Sequence, residues 1–477
     1  MLFFSVGIDC CVGDMDPLFS DHHMSAALSI LLPHIARWKH LTILTDTWRP
    51  MYVALKLMNP VMELSGAPSL QSLSLMRCND YVSYSRRFQP RQLKDAGFLT
   101  PTTTSACKSR ADLLPNLKHL ALHGVHVDWD SLGNILEGSQ SGLSYLELAS
   151  HSKDVRPSMN QFHKLLKSTP HLQSLSVVGS GPEGPGSEND SAHNYEPLHL
   201  PYLQDLTLGY RTETGGRSLL HFLDAPNVKS LVLDDTTYPA DPSDVNAGPM
   251  LSYLAKKRCD GSEHNFQSAA SQSTTTVAEY EKKRKRSICL YPDHSEAEQP
   301  CGIFPLLDHV TLRNVKSTFQ PLTTFFHSLR HVTHLEFSGM TMLSIHALVP
   351  YSPTPSDGIP CPRLHSLTIK DSDLDVEDLD FIINRLSSCR HARGAPDLQD
   401  LNFHVKPSRA SDIGLITAAA ASSPASVVHI ISDKDIESES GEDDLMIDDE
   451  DAAFRPGGVF DDPVFDEYYF GNGVVSL

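Results

Sequence analysis

The chain has 477 residues, 40% hydrophobic and 21% charged, with a formal net charge of -20 at pH 7. This balance excludes a wholly disordered chain. No run approaches about eighteen uninterrupted apolar residues, so no membrane-spanning helix and no membrane partner are predicted. The overall acidity disfavours a nucleic-acid partner, because phosphate would be repelled.

The amino-terminal residues 1–9 are apolar but short, and they lack the basic leader of a secretory signal. We interpret them as a strand. The nine cysteines show no repeated CxxC spacing, so a disulfide framework is not indicated. Both observations favour a cytoplasmic or nuclear protein.

A short phrase recurs along most of the chain. It consists of an apolar residue, two variable residues, an apolar residue, one variable residue and an apolar residue, usually with a proline two positions before it. The last two apolar residues alternate with a polar one, which is the period of a β-strand. Eight copies begin with the proline, at residues 68–75, 115–122, 170–177, 201–208, 226–233, 305–312, 362–369 and 396–403, and three lack it, at residues 38–43, 143–148 and 332–337.

Most copies are about 25 to 34 residues apart, in the range of leucine-rich repeats. One unit cannot bury its apolar face alone, so the units must stack. The sequence predicts an α/β fold over residues 1–432: an irregular leucine-rich-repeat solenoid of about eleven strands, with a curved parallel sheet and helices on its convex side. Asparagine or cysteine is expected after a gap of two residues beyond each strand's last apolar position, but only Cys78 fits.

Three segments between the phrases carry apolar residues at helical spacing, at residues 131–137, 158–167 and 376–386. We predict that each is a helix. The proline before each strand ends the preceding helix, because proline lacks an amide donor and disfavours helix in the residue before it.

A longer gap separates the phrases around Leu233 and Leu307, and residues 240–300 are predicted to be a disordered insertion. The insertion contains the basic cluster Lys282, Lys283, Arg284, Lys285 and Arg286. Such a cluster fits a nuclear import signal, although clusters of this kind are also common by chance.

Residues 433–451 hold eleven Asp or Glu and one Lys, which is half of the net negative charge. Residues 433–477 are therefore predicted to be a disordered acidic tail, whose ordinary role is to increase solubility. Ser438 and Ser440 lie where an acidophilic kinase acts. The aromatic residues of the final segment, 454–477, indicate either a docking peptide or packing on the last repeat.

The search for catalytic motifs finds no phosphate-binding glycine loop, HExxH, GxSxG or paired CxxC, so neither an enzyme nor a cofactor is predicted. Most histidines in the phrases occupy variable positions, where a solvated surface is the ordinary interpretation. Cys389 with His391, and the adjacent Cys10 and Cys11, lack the further ligands that a zinc site needs.

The variable residues beside each strand's inward leucines are expected to line up on the concave face of the sheet. We predict that this face binds a protein, with Tyr145, Arg313 and Glu336 as the main anchors, because a few aromatic and charged residues dominate most interfaces. Titration of its histidines near neutrality predicts binding that changes between about pH 6 and 7. The predicted binding residues are His119, His123, Tyr145, Glu147, Asp205, Asp234, His309, Arg313, His334, Glu336, Lys370, Asp400 and His404.

Five segments carry a family resemblance: Arg37-Trp-Lys-His-Leu-Thr-Ile43, Pro50-Met-Tyr52, Leu75-Met-Arg-Cys-Asn-Asp-Tyr-Val-Ser83, Gly124-Val-His-Val-Asp-Trp129 and Asp224-Ala-Pro-Asn-Val-Lys-Ser-Leu-Val-Leu-Asp234. Together they resemble the leucine-rich region of fungal, mushroom-type F-box proteins over roughly residues 2–405. The resemblance implies a substrate receptor, in which an amino-terminal F-box docks on the Skp-type adaptor of a cullin ubiquitin ligase while the repeats hold the target protein.

This chain departs from that plan because no F-box precedes the repeats. The candidate opening, Leu32 to Ile35, is followed almost at once by Arg37 and Trp38. Two functions therefore remain open. The first is a substrate receptor whose adaptor-binding module is missing or supplied in trans, and an F-box encoded upstream would favour it. The second is an interaction scaffold with no ligase link, in which the acidic tail is a further binding element.

Overall fold

The computed structural model describes residues 5–6, 20–77, 84–100, 113–138, 142–182, 196–237, 245–256, 302–349, 358–370, 378, 381–405 and 427–432. The basic cluster at 282–286, Ser438, Ser440 and the acidic tail lie outside these ranges. What was inferred for them from the sequence stays a prediction.

Parallel strands form the body of the molecule. In chain order they are β1 (Ser5–Val6), β2 (His40–Thr45), β3 (Ser72–Arg77), β4 (His119–His123), β5 (Tyr145–Ala149), β6 (Ser174–Val178), β7 (Leu198–His199), β8 (Asp205–Tyr210), β9 (Leu223–Asp224), β10 (Ser230–Asp235), β11 (His309–Arg313), β12 (His334–Ser338), β13 (Ser366–Lys370), β14 (Asp400–Val405) and β15 (Val427–Ser432). Strands β7 and β9 pair with each other, and the other thirteen of the described chain form one sheet in sequence order.

The eleven copies of the phrase coincide with eleven consecutive strands of the large sheet, β2 to β6, β8 and β10 to β14. Every pairing between them is parallel and in register, so that Leu73 aligns with Leu120 and Leu120 with Leu146. The predicted α/β leucine-rich-repeat fold is confirmed. Strand β1 agrees with the strand predicted at the amino terminus, whereas β15 and the small β7–β9 sheet were not predicted.

Helices connect successive strands. They are α1 (Asp21–Leu31), α2 (Trp48–Ser65), α3 (Trp129–Gly138), α4 (Met159–Lys167), α5 (Glu213–Phe222), α6 (Gly248–Leu254), α7 (Phe319–Ser328), α8 (Met342–His346) and α9 (Ser387–Ala392), with 3-10 turns at Leu32–Arg37, Arg91–Leu93 and Lys153–Val155 and a π-helix at Phe381–Leu386. Within the described ranges, every helix falls short of the length and hydropathy that crossing a bilayer requires.

Two of the three predicted helices are confirmed as α3 and α4. Helix α4 begins at a capping box, in which the Ser158 side chain accepts a hydrogen bond from the Gln161 amide. The third predicted helix is confirmed in its described part, where Phe381–Leu386 is a π-helix that continues directly into α9. Apolar spacing fixes which side is buried, here Ile382 and Leu386, but not which carbonyl each amide bonds.

The core lies between one face of the sheet and the helices. The inward leucines predicted from the phrase are buried together with helix residues such as Leu132, Phe162 and Leu220. Alternate strand residues therefore point away from the helices, on an open face. The confirmed core positions include Leu73, Leu75, Leu120, Leu122, Leu206, Leu208, Leu367 and Ile369, each at most 2% exposed.

The chain bends sharply after several strands. The bend lies two residues after the last apolar residue of the phrase. The bend residue has a left-handed backbone, and its amide donates to a carbonyl at the end of the next strand. For example, the Gly124 amide bonds the Ala149 carbonyl and the Gly339 amide bonds the Lys370 carbonyl. The bend residues with positive φ are Gly124, Ser150, Gly179, Asn314 and Gly339.

The residue directly after each bend occupies the position where asparagine or cysteine was expected. His151 and Ser180 are both fully buried there, and the Ser180 hydroxyl lies 3.0 Å from the His151 amide and 2.9 Å from its Nδ1. The His151 Nε2 lies 3.0 Å from the Val125 carbonyl oxygen. Buried side chains of other types thus bond the backbone of neighbouring turns, so the missing asparagines leave the stacking intact.

Replacing Gly339 by Ala should destabilise the fold by about 1–2 kcal/mol, because an L-residue is strained in the left-handed region. Its φ is +61°, and an added Cβ would collide with Oδ1 of Asn314. Denaturant unfolding at neutral pH measures the loss. Gly142→Ala is the matched control, since nothing lies within 4 Å of its added Cβ and its φ is not left-handed. Equal stability of the two variants would contradict the role of this bend.

One predicted boundary needs correction. Within the predicted insertion 240–300, residues 245–256 belong to the solenoid, because α6 buries Met250, Leu251 and Leu254 in the common core. The sequence did not predict this helix, because it is short and is not adjacent to a phrase. Residues 257–300 lie outside the described ranges.

Candidate functional site

The open face of the sheet, which we call the polar face, carries all thirteen residues predicted to bind a partner. The parallel register aligns them in three rows across the strands. Their role in binding stays a prediction. The first row holds His119, Tyr145, Asp205, His309, His334 and Asp400; the second holds Glu147 and Glu336; and the third holds His123, Asp234, Arg313, Lys370 and His404.

The first group on this face, the tyrosine cluster, consists of Ser72, His119, His123, Tyr145 and Glu147. The rings of His119 and Tyr145 are stacked, with centroids 4.1 Å apart and an interplanar angle of 3°. The Tyr145 hydroxyl donates to Glu147 at 2.6 Å. Nε2 of His123 lies 3.2 Å from the other Glu147 oxygen, and Ser72 Oγ lies 3.3 Å from His119 Nδ1.

These contacts shift the pKa values of Glu147, Tyr145 and His119. The His123 imidazole, followed by the Tyr145 hydroxyl, lowers the pKa of Glu147 despite its partial burial, so the carboxylate is ionised. Burial and the bond to Glu147 raise the pKa of Tyr145, which therefore remains a hydrogen-bond donor. Burial lowers the pKa of His119 and favours the neutral ring. The result is an oriented aromatic platform beside one carboxylate.

A second group, the histidine cluster, consists of Asp308, His309, Thr333 and His334. The rings of His309 and His334 are stacked with centroids 4.3 Å apart and an angle of 3°. His309 Nδ1 lies 3.1 Å from Asp308 Oδ2. The Thr333 hydroxyl bonds Asp308 Oδ1 and lies 2.7 Å from His334 Nδ1.

Sequence reasoning missed Asp308 and Thr333, because both precede their strands by one residue. A usable signal was present in the phrase alignment. Asp308-His309 and Thr333-His334 occupy equivalent positions of consecutive copies, and the register pairs His309 with His334.

Two charged pairs lie in the same half of the polar face as the histidine cluster. Lys370 Nζ is 3.1 Å from Glu336 Oε2. Asp234 and Arg313 occupy aligned positions of β10 and β11. Partial burial raises the pKa of Asp234, and Arg313 opposes that shift. This half of the face therefore carries interleaved positive and negative groups.

The three predicted anchors are not all brought together. Glu336 and Arg313 lie on adjacent strands, β12 and β11, whereas Tyr145 lies on β5. Four strand spacings separate β5 from β11, which is about 19 Å at roughly 4.8 Å per strand. The polar face thus presents two separate groups rather than one pocket.

In the described part of the chain, Cys389 and His391 do not belong to a group of three close ligand residues. His391 lies 2.9 Å from Asp397 Oδ1, and the Cys389 thiol is partly buried. Cys10 and Cys11 lie outside the described ranges. Among the described residues, the group of three or more His, Cys, Asp or Glu with ligand atoms close together is Asp308, His309 and His334.

The repeated strands, the stacked core and the open polar face define a leucine-rich-repeat solenoid. The chain matches no model of a known protein family and no curated protein. Among solved structures it is similar to the leucine-rich repeat-containing protein LegL7 from Legionella pneumophila, at 14% identity and a TM-score of 0.32. That match covers 79% of this chain and 92% of the other.

Proposed function

We propose that the chain is a non-catalytic protein-binding solenoid whose partner docks on the polar face. The observation that carries this proposal is the pair of internally bonded clusters on a face that none of the described helices covers. The tyrosine and histidine clusters present aromatic rings and charged groups in fixed positions. Side chains that are already ordered lose less conformational entropy on binding, so such groups are favourable anchors.

The separation of the clusters sets the kind of partner that fits. A ligand that contacts both must span about 19 Å across the strands, by the strand spacing. This span suits a folded protein surface or an extended peptide laid across the strands, and it exceeds what a metabolite covers. The mixture of Glu147, Asp234, Arg313 and Lys370 favours a partner with charges of both signs.

The partner is to be identified by proximity labelling of the full chain, and its affinity then measured for the triple variant Tyr145→Ala, Arg313→Ala, Glu336→Ala. We expect at least a ten-fold loss, because truncating an anchor typically costs about 2 kcal/mol or more.

The matched control removes the same residue types elsewhere: Tyr202→Ala, Arg37→Ala and Glu137→Ala. All three are exposed and lie outside the polar face. This control variant should bind the partner with the affinity of the unmodified chain. Unchanged affinity in the first triple variant, with its melting transition intact, would move the site to the insertion or the acidic tail.

A more specific role is that of a substrate receptor for a cullin ubiquitin ligase. The sequence resemblance to the leucine-rich region of mushroom-type F-box proteins supports it. Affinity purification that recovers a Skp-type adaptor and a cullin with the chain would support the receptor. Recovery of the protein partner without either component would favour a cytoplasmic or nuclear scaffold with no ligase link.

A further inference from the structure

We propose that Asp308, His309 and His334 bind a divalent transition-metal ion of the zinc type on the polar face. One ligand atom from each of the three side chains lies within 4.8 Å of the others. The fold brings them together because β11 and β12 pair in register, which sets His309 beside His334, while Asp308 immediately precedes β11.

The hydrogen bonds of Thr333 determine which nitrogen of His334 is available. A carboxylate can only accept, so the Thr333 hydroxyl donates its hydrogen to Asp308 Oδ1. The Thr333 hydroxyl oxygen must then accept a hydrogen bond from His334 Nδ1, which lies 2.7 Å away. In the neutral ring this bond occupies Nδ1 and leaves the lone pair on Nε2, one of the two imidazole nitrogens that can coordinate a metal. Thr333 acts as a positioning residue, in the manner of the outer-shell partners that orient metal-binding histidines.

The remaining geometry also favours a cation. His309 Nδ1 and Asp308 Oδ2 are 3.1 Å apart, close to the separation of two ligands that share one ion at about 2.0–2.2 Å each. The two rings are stacked with centroids 4.3 Å apart, so one ion can contact both imidazoles.

The donor set selects the class of metal. Two imidazoles and one carboxylate suit zinc, copper or nickel, whereas calcium and magnesium prefer oxygen ligands alone. The side chains of Asp308 and His309 are about half exposed, at 43% and 52%, so an ion can enter from solvent. Three protein ligands leave coordination positions for water or for a group from a docked partner.

The chain contains its own comparison sites. His199 lies 3.0 Å from Asp224, and His391 lies 2.9 Å from Asp397. Each joins one exposed imidazole to one carboxylate, and neither belongs to a group with three close ligand atoms in the described chain. These pairs separate specific binding from the general affinity of surface histidines for zinc.

The experiment is footprinting of the full chain with diethylpyrocarbonate, which acylates neutral imidazoles, over a zinc titration with mass-spectrometric readout. We expect His309 and His334 to be protected together, with one shared midpoint at micromolar zinc. His199 and His391 should stay reactive at that concentration, and magnesium should protect none of the four.

Two variants test the assigned roles. Asp308→Asn should raise the zinc midpoint for both histidines, and Thr333→Val should raise it about 10- to 100-fold by releasing the orientation of His334. The melting transition of each variant checks that the fold is intact. Protection of His309 and His334 only at zinc concentrations that also protect His199 and His391, or with two different midpoints, would overturn the proposal.

Discussion

Replacing Leu206 by Asp should abolish the cooperative unfolding transition of the solenoid. Leu206 lies on β8, the seventh of the thirteen strands in the sheet, and it is 2% exposed. Losing its apolar side chain costs roughly 2–5 kcal/mol, as in large-to-small core substitutions. An unpaired carboxylate in the core adds several kcal/mol. The two costs together approach the 5–15 kcal/mol that stabilises a typical domain.

The position within the stack increases the effect. Each repeat contacts only its neighbours, so a central defect separates the repeats on its two sides. Thr207→Asp is the matched control, because it places the same charge one residue further along β8 on the polar face, where Thr207 is partly exposed. Circular dichroism during denaturant unfolding measures both variants. A Leu206→Asp chain as stable as the Thr207→Asp chain would mean that β8 is not a core strand.

The strands and the inward leucines were predictable because two constraints act on them at once. Leu73, Leu75 and their equivalents must alternate with polar residues to form a strand, and they must recur at one spacing to share a core. A helix such as α4 adds a third signal, since Ser158 and Gln161 mark its first turn. Each of these signals is local in sequence.

The features that were missed depend on contacts between distant residues. The contact between His309 and His334 is set by the register of β11 and β12. Asp308 and Thr333 join that contact only because the two strands are adjacent. Helix α6 lies in the long gap between two phrases, so the spacing of the repeats did not predict it. His151 and Ser180 replace an expected asparagine through bonds that a residue-type pattern does not encode. The clusters on the polar face are therefore properties of the stacked structure.

Acidification should destabilise the fold between about pH 6.5 and 4, chiefly through two buried histidines. Burial lowers the pKa of His151 to about 3 and that of His126 to about 4. Nε2 of His151 must donate to the Val125 carbonyl, so Nδ1 accepts from the Ser180 hydroxyl, and a second proton on Nδ1 would break that bond. His126 is packed against Trp48, with ring centroids 5.2 Å apart, and its Nε2 bonds the Lys94 carbonyl.

The direction of the pH effect follows from the protons that the folded and unfolded states bind. An unfolded histidine takes up a proton below about pH 6.5, while these two remain neutral in the fold, so the unfolded state binds more protons and gains stability as the pH falls. Each histidine contributes about 1.4 kcal/mol per pH unit within this window. At pH 4.5 the pair therefore costs the fold roughly 5 kcal/mol relative to neutral pH, a large part of typical domain stability.

His151→Gln should lower the free energy of unfolding at pH 7.5, because it disturbs a buried hydrogen-bond network, yet it should reduce the dependence on pH by about 1.4 kcal/mol per unit between pH 6 and 4.5. Denaturant titrations at four pH values give that slope. His34→Gln is the control, since His34 is exposed on the 3-10 turn after α1. If both variants keep the slope of the unmodified chain, His151 does not cause the acid sensitivity, and His126 becomes the next group to replace.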